Sequence, residues 1–197
     1  MSRQAKLIYI IFLGLFFAAG LWLAQQSMQQ EDASTATSGL GGEFVLSSID
    51  GEVRLSDYQG KLVALYFGFL SCPDACPTAL ASMAAAIRSL DPKQQDQIQP
   101  LFISVDPERD SFENMAAYTA YFYPTMKGLT GDLAYLERLT KQYGAYFRHI
   151  PLADSALAYT VDHTSRIYLI DQQGKLLTTI PHNTSATDIA LQLQDNL

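Results

Sequence analysis

Basic residues and cysteines are scarce in this chain, and no internal repeat is visible. Of the 197 residues only 13 are Lys or Arg, against 20 Asp and Glu, and two of the basic residues precede residue 25. The rest of the chain therefore has 11 basic and 20 acidic residues and a net charge of −9. This balance argues against nucleic acid and against an anionic membrane surface as partners, and it fits docking on a basic or neutral protein patch.

The first 25 residues contain an apolar segment without any charge, at residues 7–24. At about 1.5 Å per residue it is just long enough to cross roughly 30 Å of hydrocarbon. Arg3 and Lys6 precede it and no basic cluster follows closely, so the positive-inside bias places the N terminus in the cytoplasm. No cysteine lies directly after the segment, which excludes a lipoprotein anchor. We predict an uncleaved single-pass anchor at residues 1–25 in a bacterial inner membrane, with the remainder in the periplasm; a cleaved signal peptide is the alternative.

The remainder divides into a polar segment and one domain. Residues 26–42 are rich in Gln, Ser, Thr, Ala and Gly and predict a flexible linker. Residues 43–197 are numerous enough for one hydrophobic core. The predicted elements are, in order, a hairpin around Asp50-Gly51, a strand at 61–69, a helix at 77–90, a strand at 98–105, a helix at 111–122, a short strand at 126–130, a helix at 132–143, a hairpin of strands 166–170 and 176–180, and a helix at 185–193. This order predicts an α/β domain with a thioredoxin-like mixed sheet flanked by helices and an extra N-terminal β-hairpin.

Cys72 and Cys76 are the only cysteines, and they lie between a predicted buried strand and a predicted helix. Each precedes a proline, which disfavours helical backbone, so we expect a tight loop that ends with Cys76 at the start of the helix. Unpaired N–H groups and the helix dipole at that end should stabilise a Cys76 thiolate. Such a pair can bind a soft metal, exchange electrons, or staple the loop. A staple would contribute only about 2 kcal/mol, because the closed ring is so short.

Three histidines are available as a further ligand: His149, His163 and His182. His182 follows a hairpin in a polar stretch and is expected to be solvated, and His149 lies in a plausible edge strand. His163 comes just before a predicted buried strand, and in a thioredoxin-like layout that junction faces the cysteine loop. We therefore predict a metal site of two cysteines and His163. This set is soft enough for Cu(I) and tolerates Cu(II), and zinc would accept it with water as a fourth ligand.

A thiol-disulfide oxidoreductase is the main alternative. Those enzymes usually separate their cysteines by two residues and have a cis-proline before the strand that faces the motif. Here the spacing is three, and Asp162-His163-Thr164-Ser165 occupies the position of that proline. Adjacent thiols can still form a disulfide, so exchange remains chemically open. A peroxidase is disfavoured because Pro73 and Phe69 stand where a Thr would have to precede each cysteine by three residues.

Four segments together resemble the Sco/SenC family of copper-binding proteins. They are Asp57-Tyr58-Gln59-Gly60-Lys61, Tyr66-Phe67-Gly68-Phe69 with Cys72-Pro73-Asp74-Ala75-Cys76-Pro77, Ser104-Val105-Asp106-Pro107-Glu108-Arg109-Asp110, and Val161-Asp162-His163. The resemblance covers nearly all of residues 43–197 and implies a thioredoxin fold. It further implies that Cys72, Cys76 and His163 bind one copper ion, as Cu(I) or Cu(II).

The same resemblance implies service in assembling the binuclear copper centre of cytochrome c oxidase, by handing over copper or by keeping the acceptor's cysteines reduced. We therefore expect a membrane-anchored copper chaperone, with thiol-disulfide reductase activity as the alternative. Its expected partners are the copper-accepting subunit of the oxidase and, through the N-terminal helix, the membrane. Neither nucleic acid nor a small-molecule substrate is expected. Asp74 and Asp106 belong to the matched segments, and the sequence gives them no firm role.

Overall fold

The computed structural model describes residue 20 and residues 39–153 and 158–197. The predicted anchor and most of the predicted linker lie outside these residues. Among the residues described, no helix combines the length and the apolar character that a membrane crossing requires. By its contacts the chain divides into Met1–Ser38 and a compact unit, Gly39–Leu197, which is the domain described below.

The domain contains nine strands and five helices among the described residues. The strands are β1 (Val45–Ser48), β2 (Gly51–Arg54), β3 (Leu62–Gly68), β4 (Ile98–Ser104), β5 (Lys127–Leu129), β6 (Phe147–Pro151), β7 (Tyr159–His163), β8 (Arg166–Ile170) and β9 (Leu176–Pro181). The helices are α1 (Ala75–Arg88), α2 (Pro92–Gln95), α3 (Phe112–Phe122), α4 (Leu133–Gln142) and α5 (Ala186–Gln194), and a 3₁₀ turn covers Leu55–Tyr58.

Five strands form a mixed central sheet in the order β5-β4-β3-β8-β9. Strands β3, β4 and β5 are parallel, while β8 is antiparallel to β3 and β9 is antiparallel to β8. Every residue of β3 and β4 is buried, as continuous apolar runs predict for strands covered on both faces. The predicted mixed sheet flanked by helices is confirmed.

The predicted N-terminal hairpin is confirmed as β1–β2, but its turn residues are Ile49 and Asp50, one position before the predicted Asp50-Gly51, and Gly51 already pairs with Ser48. Gly51 has a φ of 112°, a backbone conformation that glycine adopts without steric cost. The hairpin is joined to the domain by paired backbone hydrogen bonds between Ser47 and Thr130. Gly41 also pairs with Lys175, so contacts with the rest of the domain include residues before the first strand.

The sequence predicted only one strand of a second hairpin, β6–β7. The sequence predicts an edge strand around His149 but assigns no strand to the residues before His163. In the structure β6 and β7 are antiparallel partners and form a two-stranded sheet of their own, with Phe147 opposite His163. His163 is therefore the last residue of a strand and not part of a connecting loop.

Candidate metal centre

The cysteine loop, residues 69–76, connects the carboxyl end of β3 to α1. Its first turn is closed by a hydrogen bond of 3.2 Å from the Cys72 N–H to the Phe69 carbonyl. Helix α1 begins at Ala75, with Asp74 as the N-cap residue, so Cys76 is the second helical residue and not the residue before the helix. The predicted helix started at Pro77, so its predicted start was wrong by two residues. Pro77 is tolerated inside the first turn because N–H groups there have no partner within the helix.

Gly68 makes room for the sulfur of Cys76. A Cβ atom at Gly68 would lie 2.7 Å from Cys76 Sγ and 2.8 Å from the ring of Phe102. These distances are too short for any larger residue unless the neighbours move. The Cys76 side chain is fully buried in the resulting space. Glycine at this position therefore sets how deeply the second cysteine lies in the domain.

His163 reaches the cysteine loop from the end of β7. Its Nε2 atom lies 3.6 Å from Cys76 Sγ. The ring is held edge-on against the rings of Phe69 and Tyr66, with centroid separations of 5.5 and 6.3 Å. Burial is the main cause that lowers the pKa of His163, and the ring also hydrogen-bonds to the backbone of Val161. A lowered pKa keeps the imidazole neutral, which is the form that binds metals.

The two thiols differ in acidity, and the difference is opposite to the sequence expectation. Cys72 is partly exposed, and its pKa is lowered to about 5, first by a hydrogen bond from the Cys76 side chain and then by backbone donors. One of these donors is the Cys76 N–H, at 3.4 Å from Cys72 Sγ. The same side-chain hydrogen bond, together with burial, raises the pKa of Cys76. The hydrogen bond between the two side chains, supported by backbone N–H donors, thus stabilises a thiolate on Cys72, and the same bond together with burial keeps Cys76 protonated.

The contact between Cys76 and His163 has the length that a shared metal ion requires. A sulfur and a nitrogen bound to one ion at about 2.3 and 2.0 Å lie about 3.5–3.7 Å apart at angles of about 110–120°. Cys72 is the third predicted ligand. Among the described residues, no three His, Cys, Asp or Glu side chains are already arranged as a metal-holding group. Both cysteines are free thiols.

The remaining histidines lie elsewhere. His149 is on β6, where its ring packs against Tyr159 with a centroid separation of 4.5 Å. His182 follows β9, and its N–H donates to the Ser165 carbonyl. Of the three histidines, only His163 makes a recorded contact with a cysteine sulfur.

Asp110 supports the cysteine loop, although the sequence analysis gave it no role. Its Oδ2 atom accepts hydrogen bonds from the Leu70 N–H at 3.0 Å and from Ser104 Oγ at 2.5 Å. Burial is the main cause that raises the pKa of this carboxyl group. The available signal was a charged segment directly after a buried strand, since residues that follow β4 must lie at the same sheet edge as those that follow β3.

Comparison with known proteins gives a consistent result. The chain matches the SCO1/SenC family model over residues 32–197. It is 35% identical over 192 residues to the mitochondrial protein SCO2 homolog of Homo sapiens, a match that covers 92% of this chain and 72% of the human protein.

Solved structures are also similar to this one. The copper-bound structure of ScoI from Bradyrhizobium japonicum has a TM-score of 0.71 and 34% sequence identity, and the match covers 80% of this chain and 99% of that one. BsSco has a TM-score of 0.61 and 26% identity over 80% of this chain and 92% of its own. BsSco is described as having a disulfide switch and as a member of the Sco family of cytochrome c oxidase assembly proteins.

Proposed function

This chain belongs to the SCO1/SenC family, and from that premise we propose that it is a membrane-anchored copper chaperone. It binds one copper ion through Cys72, Cys76 and His163 and assists assembly of the binuclear copper centre of cytochrome c oxidase. The observation that carries the proposal is the 3.6 Å contact between Cys76 Sγ and His163 Nε2, next to a second cysteine. Copper-bound structures of similar proteins support the choice of metal.

The chemistry of the three side chains suits copper in both oxidation states. Thiolates are soft ligands that favour Cu(I), and a borderline imidazole extends the set to Cu(II). Cys72 is the partly exposed thiolate, so it is the sulfur that first meets an incoming ion. Cys76 must lose its proton as it binds, because metal binding requires the thiolate form. Copper affinity should therefore rise with pH until Cys76 no longer carries a proton in competition with the metal.

Release proceeds by ligand exchange. A thiolate of the acceptor forms a new sulfur–copper bond while the bond to His163 breaks, because the imidazole is the weakest-held of the three ligands. Cys76 and Cys72 release the ion afterwards, and each regains a proton according to its pKa. The acceptor is the copper-accepting subunit of the oxidase. The acidic character of the chain beyond residue 25 suits docking on a basic or neutral patch of that subunit.

The location follows from the sequence alone. Residues 1–25 anchor the protein in a bacterial inner membrane, and residues 26–42 connect the anchor to the copper-binding domain in the periplasm. This arrangement would keep the metal site close to a membrane-bound acceptor. Fractionation of cells that express the full-length chain, with protease digestion of intact spheroplasts, tests it. Digestion of the copper-binding domain in intact spheroplasts supports the proposal, and a domain that resists the protease until the spheroplasts are lysed contradicts it.

A thiol-disulfide oxidoreductase is the second candidate, and the acidity of Cys72 favours it. The Cys72 thiolate would attack a disulfide of the partner, forming a mixed disulfide and releasing one partner thiolate. Cys76 would then lose its proton and displace the second partner sulfur. The two electrons pass to the partner, and the Cys72–Cys76 disulfide that remains needs an external thiol reductant to reset it. The disulfide switch described for BsSco supports this chemistry.

Copper titration of the full-length protein in detergent separates the two candidates. The wild type should bind one copper per chain, and Cys72→Ser or Cys76→Ser should abolish that stoichiometry. If the wild type binds no copper but reduces a disulfide substrate catalytically, the oxidoreductase replaces the chaperone. Zinc competition in the same titration tests the choice of metal: zinc should not displace bound Cu(I), because thiolates hold the softer Cu(I) more tightly, and displacement of Cu(I) by equimolar zinc would contradict the proposal.

A further inference from the structure

The hairpin that carries His163 does not pair with the central sheet, so its other contacts help to decide where His163 lies. Strands β6 and β7 pair with each other and form a separate two-stranded sheet. His163 is at one end of β7 and Tyr159 is at the other. At about 3.3 Å per residue these ends are about 13 Å apart. A tilt of about 5° at Tyr159 would therefore shift His163 by about 1 Å, which is enough to disturb metal coordination.

Tyr159 makes three contacts with two residues of the 106–110 loop, which follows β4. Its hydroxyl donates to Asp106 Oδ1 at 2.7 Å, and its backbone carbonyl accepts from Arg109 Nη1 at 2.8 Å. The Arg109 guanidinium also lies 3.8 Å from the centre of the Tyr159 ring. These contacts fix the position of the strand end in the plane of the ring and perpendicular to it.

Asp106 and Arg109 are themselves held firmly. Asp106 is fully buried, and its Oδ2 atom accepts a hydrogen bond from Arg109 Nε at 2.6 Å and forms an ion pair with Arg109 Nη2 at 2.5 Å. Because the carboxylate is buried, this pair is less screened and more restricted than most ion pairs at a protein surface. The Arg148–Asp162 pair on the same hairpin illustrates the contrast, since it is longer, at 3.6 Å, and largely exposed.

The same loop also holds the cysteine half of the site. The Asp106 N–H donates to Ser104 Oγ at 3.0 Å, Ser104 Oγ donates to Asp110 Oδ2, and Asp110 Oδ2 accepts from the Leu70 N–H. Ser104, Asp106 and Asp110 are all buried. A chain of hydrogen bonds thus runs from Tyr159 on the hairpin to Leu70 in the cysteine loop without passing through either set of ligands.

We propose that the 106–110 loop is a positioning element that sets the separation between His163 and the cysteines, and that Asp106 and Arg109 are positioning residues for His163. The inference rests on the proposed function, since it assigns these residues a role in copper coordination. It gives the carboxylate of Asp106 a purpose beyond closing the turn that follows β4. We call the contacts of Asp106 and Arg109 with Tyr159 the clamp. Loss of the clamp should weaken the contribution of His163 to copper binding. It should leave the two thiolates in place, because Asp110 continues to hold the cysteine loop.

Tyr159→Phe and Arg109→Gln in the full-length protein test this inference. Tyr159→Phe removes one hydrogen-bond donor and keeps the ring, so it tests the clamp even if Arg109→Gln fails to fold. Tyr121→Phe and Arg148→Gln are matched controls, because they remove the same groups from exposed positions. We expect Cu(II) affinity to fall about tenfold or more in the clamp variants, in the range typical of supporting residues at metal sites. Cu(I) affinity should change less than about threefold, and the controls should match the wild type.

A second readout uses the protein without copper. Nuclear Overhauser contacts between the His163 ring and the Phe69 ring should weaken in both clamp variants and persist in both controls. Equal loss of Cu(I) and Cu(II) affinity, in step with a lower melting temperature, would reduce the clamp to a general stabilising contact and overturn the inference. Unchanged Cu(II) affinity and ring contacts would overturn it too. If the wild type binds no copper, the proposed function fails, and the ring contacts alone decide whether the loop positions His163.

Discussion

The two halves of the candidate site are held by different parts of the fold. The cysteine loop continues directly from β3, whose residues are all buried, and passes into α1. His163 is on the β6–β7 hairpin, whose two strands contain one buried residue, Val161. The core therefore fixes the sulfur ligands, while the imidazole depends both on the Phe69 and Tyr66 rings and on the contacts of its hairpin. This difference would suit the proposed carrier, in which the ligand that leaves first is the one on the less constrained element.

The largest effect should come from damage to the core side of this comparison. Gly68→Ala places a Cβ atom against Cys76 Sγ and the Phe102 ring, so we expect loss of both Cu(I) and Cu(II) binding. Crowding of this kind should also lower the free energy of unfolding by about 1–3 kcal/mol. Copper titration and chemical denaturation of the same preparation measure both effects.

Gly128→Ala is the matched control for Gly68→Ala. Its Cβ atom would lie 2.8 Å from Met115 Cβ, a clash of the same size, but it is on β5 and away from the cysteines. It should lower stability similarly and leave one copper bound per chain. If Gly128→Ala loses copper as completely as Gly68→Ala does, loss of stability and not displacement of Cys76 explains both results.

Damage to the hairpin side should have a smaller and more selective effect. His163→Ala should retain some Cu(I), because two thiolates remain, but it should lose stable Cu(II) binding. Titration of each oxidation state, with Arg148→Gln as the control on the same hairpin, measures the difference. Equal retention of both oxidation states in His163→Ala would contradict the three-ligand site.

The smallest expected effect is a difference in reactivity between Cys72 and Cys76 in the unsubstituted protein. In the reduced protein without metal, Cys72 should be alkylated by iodoacetamide at a rate that rises through pH of about 5, where its thiol becomes a thiolate. Below that pH the rate should fall as the thiol is protonated. Cys76 should react slowly because it is buried and its pKa is raised. Mass spectrometry of the modified peptide identifies the site, and prior modification of Cys76 would reverse the assignment of acidity.

The sequence predicted the core half of the molecule better than the hairpin half. Continuous apolar runs located β3 and β4, and the helix predicted at 111–122 is α3, which Ser111 caps by accepting from the Asn114 N–H. The segment before His163 contains Thr160 and Asp162 and lacks an apolar run, so it gave no strand signal. Its strand forms because it pairs with β6 across the hairpin, which is a contact that the composition of the segment itself does not reveal.

The candidate site divides in the same way. The sequence pointed to Cys72, Cys76 and His163 by residue type and by the expected layout, and the structure brings these three to one end of the sheet. The predicted thiolate on Cys76 was wrong, because the acidity of each thiol depends on which sulfur is buried. The contact of Tyr159 with Asp106 joins residues 53 positions apart, so no local sequence pattern predicts it.

X-ray absorption spectroscopy of the full-length protein loaded with one Cu(I) tests the central claim most directly, because it counts the sulfur and nitrogen atoms bound to the metal. The account predicts two sulfur neighbours and one nitrogen neighbour in the wild type, with the nitrogen missing from His163→Ala. A spectrum with sulfur alone, or one that His163→Ala leaves unchanged, would contradict it.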